Sequence, residues 1–176
     1  AAGDDVIGIA QTGTGKTLAF SIPMIQQIKA RGKKGLVILP TRELALQVNE
    51  ALHKFVGPAG LRTAVLIGGV SQGAQIKSLQ THPHIVIATP GRLIDIFEQK
   101  KIRLDDVGIL VLDEADRMLE MGFEPQIKKI LAHVPTDRQT MLFSATMPEA
   151  IGQIARKYMR QPLRVEVAPS GTTAER

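Results

Sequence analysis

The sequence predicts an α/β fold: a mostly parallel central sheet of about seven strands with helices on both faces. Three observations predict it. Short apolar runs rich in Val, Ile and Leu recur along the chain with little polar alternation, the pattern of strands buried on both faces. Between them lie longer stretches with helical spacing, and strand–helix repetition of this kind wraps a parallel sheet on both sides. Several runs also end in a polar cluster that opens a helix, and open α/β sheets bind ligands outside the carboxyl ends of their strands.

The first run, "VIGIA" (6–10), leads directly into "AQTGTGKT" (10–17). Gly13 and Gly15 let the backbone curl so that successive N–H groups point inward, and a helix starting near Lys16 adds its positive dipole end. Together Gln11, Thr12, Gly13, Thr14, Gly15, Lys16 and Thr17 form a phosphate-binding turn. Lys16 is placed for the β- and γ-phosphates and the Thr17 hydroxyl for Mg²⁺. Ala10 stands where the usual pattern opens with Gly, a small residue the turn tolerates.

The second run, "GLVIL" (35–39), ends in "PTREL", which opens a helix over 42–56. Leu44, Val48, Leu52 and Phe55 are expected on its buried face. The third run, "RTAVLI" (62–67), is followed by Gly68 and Gly69, and the fourth, "HIVIA" (84–88), by "TPGR". The fifth, "VGILVL" (107–112), ends in "DEAD" (113–116), which sets Asp113 at the carboxyl end of a strand, where a carboxylate can hold Mg²⁺. Glu114 follows as the candidate to orient the attacking water and take its proton. "TMLFSA" (140–145) and "LRVEV" (163–167) complete the set, and the tail "APSGTTAER" (168–176) has linker composition.

Composition narrows the partners. The 176 residues suffice for one sizeable domain. The chain has no cysteine, which excludes disulfides and thiolate zinc sites and fits the cytoplasmic setting expected for it. Its apolar runs fall far short of the roughly 20 residues of a membrane span. A formal charge of +5 suits a polyanion, while 3% aromatics leaves little for stacking bases, so backbone contact is the expected mode. His53, His82, His84 and His133 show no metal-ligand spacing.

With these motifs in order, the chain resembles the first, RecA-like lobe of the DEAD-box ATP-dependent RNA helicases. The signatures are "AQTGTGKT", "PTRELALQ" (40–47), "GG" (68–69), "TPGR" (89–92), "DEAD" (113–116) and "SAT" (144–146). The resemblance implies ATP and Mg²⁺ as ligands, with Lys16, Asp113 and Glu114 as the catalytic set and Thr17 and Asp113 as metal ligands. It implies RNA contacts, made to the single-stranded backbone without sequence preference, at Pro40, Thr41, Arg42, Gly68, Gly69, Thr89, Pro90, Gly91 and Arg92. Thr41 and Thr89 are placed to cap their helices, Pro90 to start one, and Arg92 to offer a forked donor. Capping alone would explain either threonine singly; the whole set on one edge favours phosphate contact. Ser144 and Thr146 are expected to bond the Asp116 carboxylate and couple the two sites.

The resemblance further implies a lobe over 1–167, truncated at its N-terminus, with 168–176 leading to a second RecA-like lobe in cis that supplies arginine fingers. By itself this chain is expected to be a monomer with almost no turnover and no membrane contact. Two other readings are a nucleotide-gated RNA clamp and a P-loop phosphotransferase acting on a small molecule; "DEAD" with "SAT" argues against the latter.

Overall fold

The computed structural model describes residues 3–10 and 15–167. The expected phosphate contacts at Gln11, Thr12, Gly13 and Thr14, and the linker over 168–176, lie outside the described residues.

Strand β1 (Val6–Ala10) is followed by α1 (Gly15–Arg31), β2 (Lys34–Ile38), α2 (Arg42–Val56), β3 (Thr63–Leu66), α3 (Gln72–Leu79) and β4 (Ile85–Ala88). Then come α4 (Pro90–Glu98), β5 (Val107–Leu112), α5 (Ala115–Glu120), α6 (Glu124–His133), β6 (Gln139–Ser144), α7 (Glu149–Tyr158) and β7 (Leu163–Val167). The seven strands form one sheet in the order β3-β4-β2-β5-β6-β1-β7, and every neighbouring pair is parallel. The carboxyl ends of all the strands therefore share one edge, and their amino ends the other.

Strand alternation divides the core into two layers. Val37, Ile87, Ile109, Val111 and Phe143 face α1 and α2, where Phe20, Met24 and Leu52 meet them. Leu36, Ile38, Val86, Leu110 and Leu142 face the other way, toward Leu93 of α4, Met118 of α5, Ile127 of α6 and Ile154 of α7. Most of these side chains are wholly buried, each worth about 1.5–3 kcal/mol relative to exposure. Among the described residues no helix is long and apolar enough to cross a membrane.

Two expectations need correction. Phe55 is exposed, and the buried stripe of α2 runs Ala45, Val48, Leu52, Val56, the same helical spacing with its two ends shifted by one residue. Nor are all strands buried on both faces: β7 pairs only with β1 and leaves Leu163 and Val165 exposed, because it lies at the end of the sheet.

One irregularity shapes the amino-end edge. Lys34 pairs with Val107 but Gly35 pairs with Ile109, so Gly108 is an extra, bulged residue of β5. A Cβ at Gly108 would collide with the Cβ of Lys33, so only glycine lets that lysine cross the strand there.

Candidate functional site

The polar clusters all fall on the carboxyl edge, and the strand order sorts them. At one end stand β3, β4 and β2, carrying Gly68–Gly69, Thr89–Arg92 and Pro40–Arg42; at the other stand β5, β6 and β1, with Asp113–Asp116 after β5, Ser144–Thr146 after β6, and Lys16 in the first turn of α1 after β1.

Asp113 leaves the last residue of β5, and its backbone N–H still donates to Ile38 O of β2 at 2.9 Å. That bond aims the carboxylate across the end of β6 toward α1. Lys16 Nζ meets Asp113 Oδ1 at 3.1 Å, and the Glu114 N–H donates to the same oxygen at 2.9 Å. Lys16 and Asp113 are 5% and 3% exposed, so each charge depends on the other. Removing either partner would strand a buried charge, at about 3–5 kcal/mol. Thr17 is buried beside them, one residue along α1.

Glu114 has φ 52° and ψ 49°, left-handed backbone at a non-glycine residue. Such a conformation costs on the order of 1–3 kcal/mol and clusters at functional sites. It turns the chain sharply from β5 into α5 and leaves the Glu114 side chain half-buried at the edge. Burial pushes the Glu114 carboxyl above its usual pKa; the Lys16 ammonium opposes the shift and the Asp113 carboxylate adds to it.

Asp116 lies two residues on, in the first turn of α5. Its Oδ2 accepts from the Thr146 hydroxyl at 2.8 Å and from the Thr146 N–H at 3.2 Å, and its Oδ1 from the Arg117 N–H at 3.0 Å. Partial burial pushes this carboxyl up, but the bonds from the Thr146 hydroxyl and the Arg117 N–H, the nearby Ser144 hydroxyl and the Thr146 N–H outweigh it and hold it below the usual value. Ser144 also bonds backbone on both sides of this contact. Its hydroxyl donates to Thr146 O at 2.6 Å and accepts from the Asp116 N–H at 3.3 Å, which shapes the turn and bonds the backbone of Asp116.

At the other end, Thr41 caps α2 as expected, its Oγ1 accepting from the Leu44 N–H at 3.3 Å. Pro40 is buried behind it, and Arg42 is exposed at the helix start. Gly69 has φ +76°, and a Cβ there would stand 2.6 Å from Arg42 Nη1, so the guanidinium lies directly over this glycine. Gly68 and Gly91 face open space, with nothing within 4 Å of a Cβ placed on either. Thr89 occupies the N-cap position of α4 with Pro90 at the first turn, yet its hydroxyl makes no capping bond, contrary to expectation. The backbone alone starts this helix, since Pro90 presets φ and the Leu93 N–H donates to Thr89 O at 3.1 Å.

Arg92 is also more committed than its motif suggests. Its Nη1 donates to Val70 O at 2.8 Å and to Gln75 Oε1 at 2.9 Å. Gln75 is buried, and its Nε2 in turn donates to Ile67 O at 2.9 Å. This glutamine therefore ties α3, the end of β3 and α4 together. Nothing in "SQGAQIKS" marked it, because an internal glutamine in a short helix carries no pattern of its own.

The donors near Asp113 are hard oxygens, namely two carboxylates and a hydroxyl, and that chemistry fits Mg²⁺. Among the described residues no group of three or more His, Asp or Glu side chains could cage a metal unaided. An ion here would complete its shell with phosphate oxygens and water.

Comparison with known proteins agrees with this geometry. Residues 1–154 match the family profile described as DEAD/DEAH box helicase. The chain is 49% identical over 165 residues to the DEAD-box ATP-dependent RNA helicase CshA of Geobacillus kaustophilus, covering 93% of this chain and 35% of that protein. It is 46% identical over 181 residues to the DEAD-box ATP-dependent RNA helicase 20 of Arabidopsis thaliana, covering 99% of this chain and 36% of that protein. The chain thus spans about a third of the length of these relatives. Among solved structures, the yeast DEAD-box splicing factor Prp28 superposes with a TM-score of 0.88 at 34% identity, over 97% of this chain and 43% of that one. A hypothetical ATP-dependent RNA helicase from Sulfolobus tokodaii gives 0.86 at 39%, over 93% and 48%.

Proposed function

This chain belongs to the DEAD/DEAH box helicase family, and on that premise we propose that it works as the nucleotide-binding first lobe of an ATP-driven RNA helicase that grips RNA by its backbone. The buried Lys16–Asp113 pair is the observation that carries the reading. A lysine and an aspartate that neutralise each other in the interior, beside a phosphate-binding turn, are poised to exchange partners. Lys16 turns to the β- and γ-phosphates, and Asp113 with the Thr17 hydroxyl holds Mg²⁺. When bound, that ion neutralises charge on the phosphate oxygens.

Glu114 accepts a proton from the water that attacks the γ-phosphorus, while the bond from that phosphorus to the bridging oxygen breaks and ADP leaves. A carboxylate with a raised pKa is a stronger base than an ordinary one, which supports Glu114 for this step. RNA phosphates lie along the β3–β4–β2 end, against the starts of α2 and α4 and the open glycines. Arg42 provides charge there, and Arg92 holds the loop after β3 in shape. A second RecA-like lobe, reached through 168–176, closes on both ends and completes the charge around the γ-phosphate.

The test uses the chain extended to the length of its relatives. ATP turnover is expected to rise on adding single-stranded RNA of any sequence, and Glu114→Gln is expected to lower it by about 10²–10⁴ without loss of ATP binding. Turnover indifferent to RNA would refute the helicase reading, and a Glu114→Gln rate near the parent's would remove Glu114 as the base.

A further inference from the structure

The edge opposite the proposed ATP and RNA sites, where the strands begin, holds a cavity of about 700 Å³. Volumes of this order belong to small-molecule sites. Five cationic side chains line it, Lys29, Lys33, Lys34, Lys101 and Arg103, against one carboxylate, Asp106. That carboxylate is already taken: Lys34 Nζ pairs with Asp106 Oδ1 at 3.2 Å and donates to Arg103 O at 2.8 Å, which pins the loop before β5 to β2. Arg103 pairs outward with Asp105 at 2.7 Å. Among the described residues no carboxylate stands within 4 Å of Lys29, Lys33 or Lys101.

The mouth is built for these lysines. The Gly108 bulge exists where Lys33 crosses β5, and bulges re-aim side chains beside sites. His84 Nδ1 accepts from the Arg62 N–H at 2.9 Å, so the neutral ring carries its proton on Nε2 and adds a donor to the lining. Burial, Arg62 and Lys29 lower the His84 pKa, as a positive local field would. Beneath the cations, Ile28, Leu61, Leu79 and Ile102 form an apolar floor. Helix ends point at this edge, and a cation at the end of α1 or α4 offsets a dipole. Such compensation accounts for Lys29 in the last turn of α1, and ion pairs account for Lys34 and Arg103; Lys33 and Lys101, converging on one cavity, are left without a structural partner among the described residues.

We propose that this cavity is a second ligand site, one that takes a nucleoside polyphosphate, its phosphates against Lys29, Lys33 and Lys101 and its base on the apolar floor. The same chemistry is offered by a free nucleotide and by the triphosphorylated 5′ end of an RNA. The proposal is independent of the helicase reading, because it uses none of the residues at the carboxyl edge.

The experiment is a titration of the ¹⁵N-labelled chain followed by amide shifts, which separate the two edges by location. Guanosine triphosphate, inorganic tripolyphosphate and a short RNA with either a 5′-triphosphate or a 5′-hydroxyl are the probes. Shifts are expected at Gly32, Lys33, Gly60 and Lys101 with guanosine triphosphate or the 5′-triphosphate RNA, and weaker ones with tripolyphosphate; whichever of the first two binds more tightly is the source. Lys33→Glu with Lys101→Glu should lower affinity at this edge by about tenfold or more, as reversed charge at contact distance requires. Lys54→Glu with Lys77→Glu, which changes net charge equally but lies outside the cavity, should leave it nearly unchanged. Shifts confined to the phosphate-loop edge, equal losses in both variants, or equally tight binding of the 5′-hydroxyl RNA or of oligoglutamate would overturn the proposal.

Discussion

At Glu114 the fold and the proposed chemistry pull in opposite directions. Its backbone is strained and its carboxylate is partly desolvated beside another carboxylate, so the residue weakens the structure it belongs to. A carboxyl whose folded pKa is raised binds its proton more tightly in the folded state. Its stabilising contribution is therefore present below the unfolded pKa of about 4.3 and lost as pH rises through the folded value. Glu114→Gln, which cannot ionise, is accordingly expected to melt above the parent at pH 7. The gap should close as pH falls from the raised value toward the ordinary carboxylate range. Thermal melts across pH 3–8 check this, and a Gln variant less stable than the parent at neutral pH would refute it. Lys16 and Asp113 present the contrasting case: both are buried and charged, but each is answered by the other.

Among the elements, α2 and α4 start alike in sequence, Pro-Thr-Arg and Thr-Pro-Gly-Arg, and differently in space. The Thr41 hydroxyl bonds the third N–H of its helix, and the Thr89 hydroxyl bonds none. Thr41→Val should therefore cost about 1 kcal/mol in urea unfolding, the worth of a cap. Thr89→Val, which keeps the shape and loses no bond, should stay within about 0.5 kcal/mol of the parent. The same variant is expected to weaken RNA binding if the Thr89 hydroxyl is left free for phosphate. Equal stability losses at both positions would mean that α4 is capped after all. Phe55 teaches a related lesson about periodicity. In "ALHKFV" both Phe55 and Val56 suit an apolar stripe, and only the orientation of α2 against β3 and β4 selects Val56.

On the scale of the whole molecule, the strand order sorts the polar residues of one edge into two clusters. β5 and β6 stand between β1, which leads to Lys16, and the residues after β2, β4 and β3 that are proposed to meet RNA. At that boundary Asp116 of α5 and Thr146 after β6 bond each other through two contacts. Coupling between sites is a free energy of typically 1–3 kcal/mol, or about 5–150-fold in affinity. In the full-length protein Thr146→Val should leave the affinity for ATP alone, and for RNA alone, within about twofold of the parent. It should reduce the factor by which each ligand strengthens the other. Paired titrations, with and without the second ligand, measure that factor; an unchanged factor would show that Asp116–Thr146 is only a structural tie.

The local content of this protein was legible in its sequence. Seven apolar runs and the helical stretches between them predicted a parallel sheet covered on both faces, because buried strands and amphipathic helices have periods a linear sequence displays. The same reading singled out Lys16, Asp113 and Glu114 as candidates, since phosphate and metal chemistry demand particular residue types at the ends of strands, and the family resemblance added Asp116; all four lie at the carboxyl edge. What it could not contain was adjacency between distant positions. The 3.1 Å pairing of Lys16 with Asp113, Arg42 over Gly69, and Gln75 joined to Arg92 each depend on which strands are neighbours. So does the basic cavity, whose lysines are scattered from 29 to 101 and meet only because β2 lies between β4 and β5. Strand order is set by the total burial of two core layers, a sum over the whole chain, and no single stretch of sequence carries it.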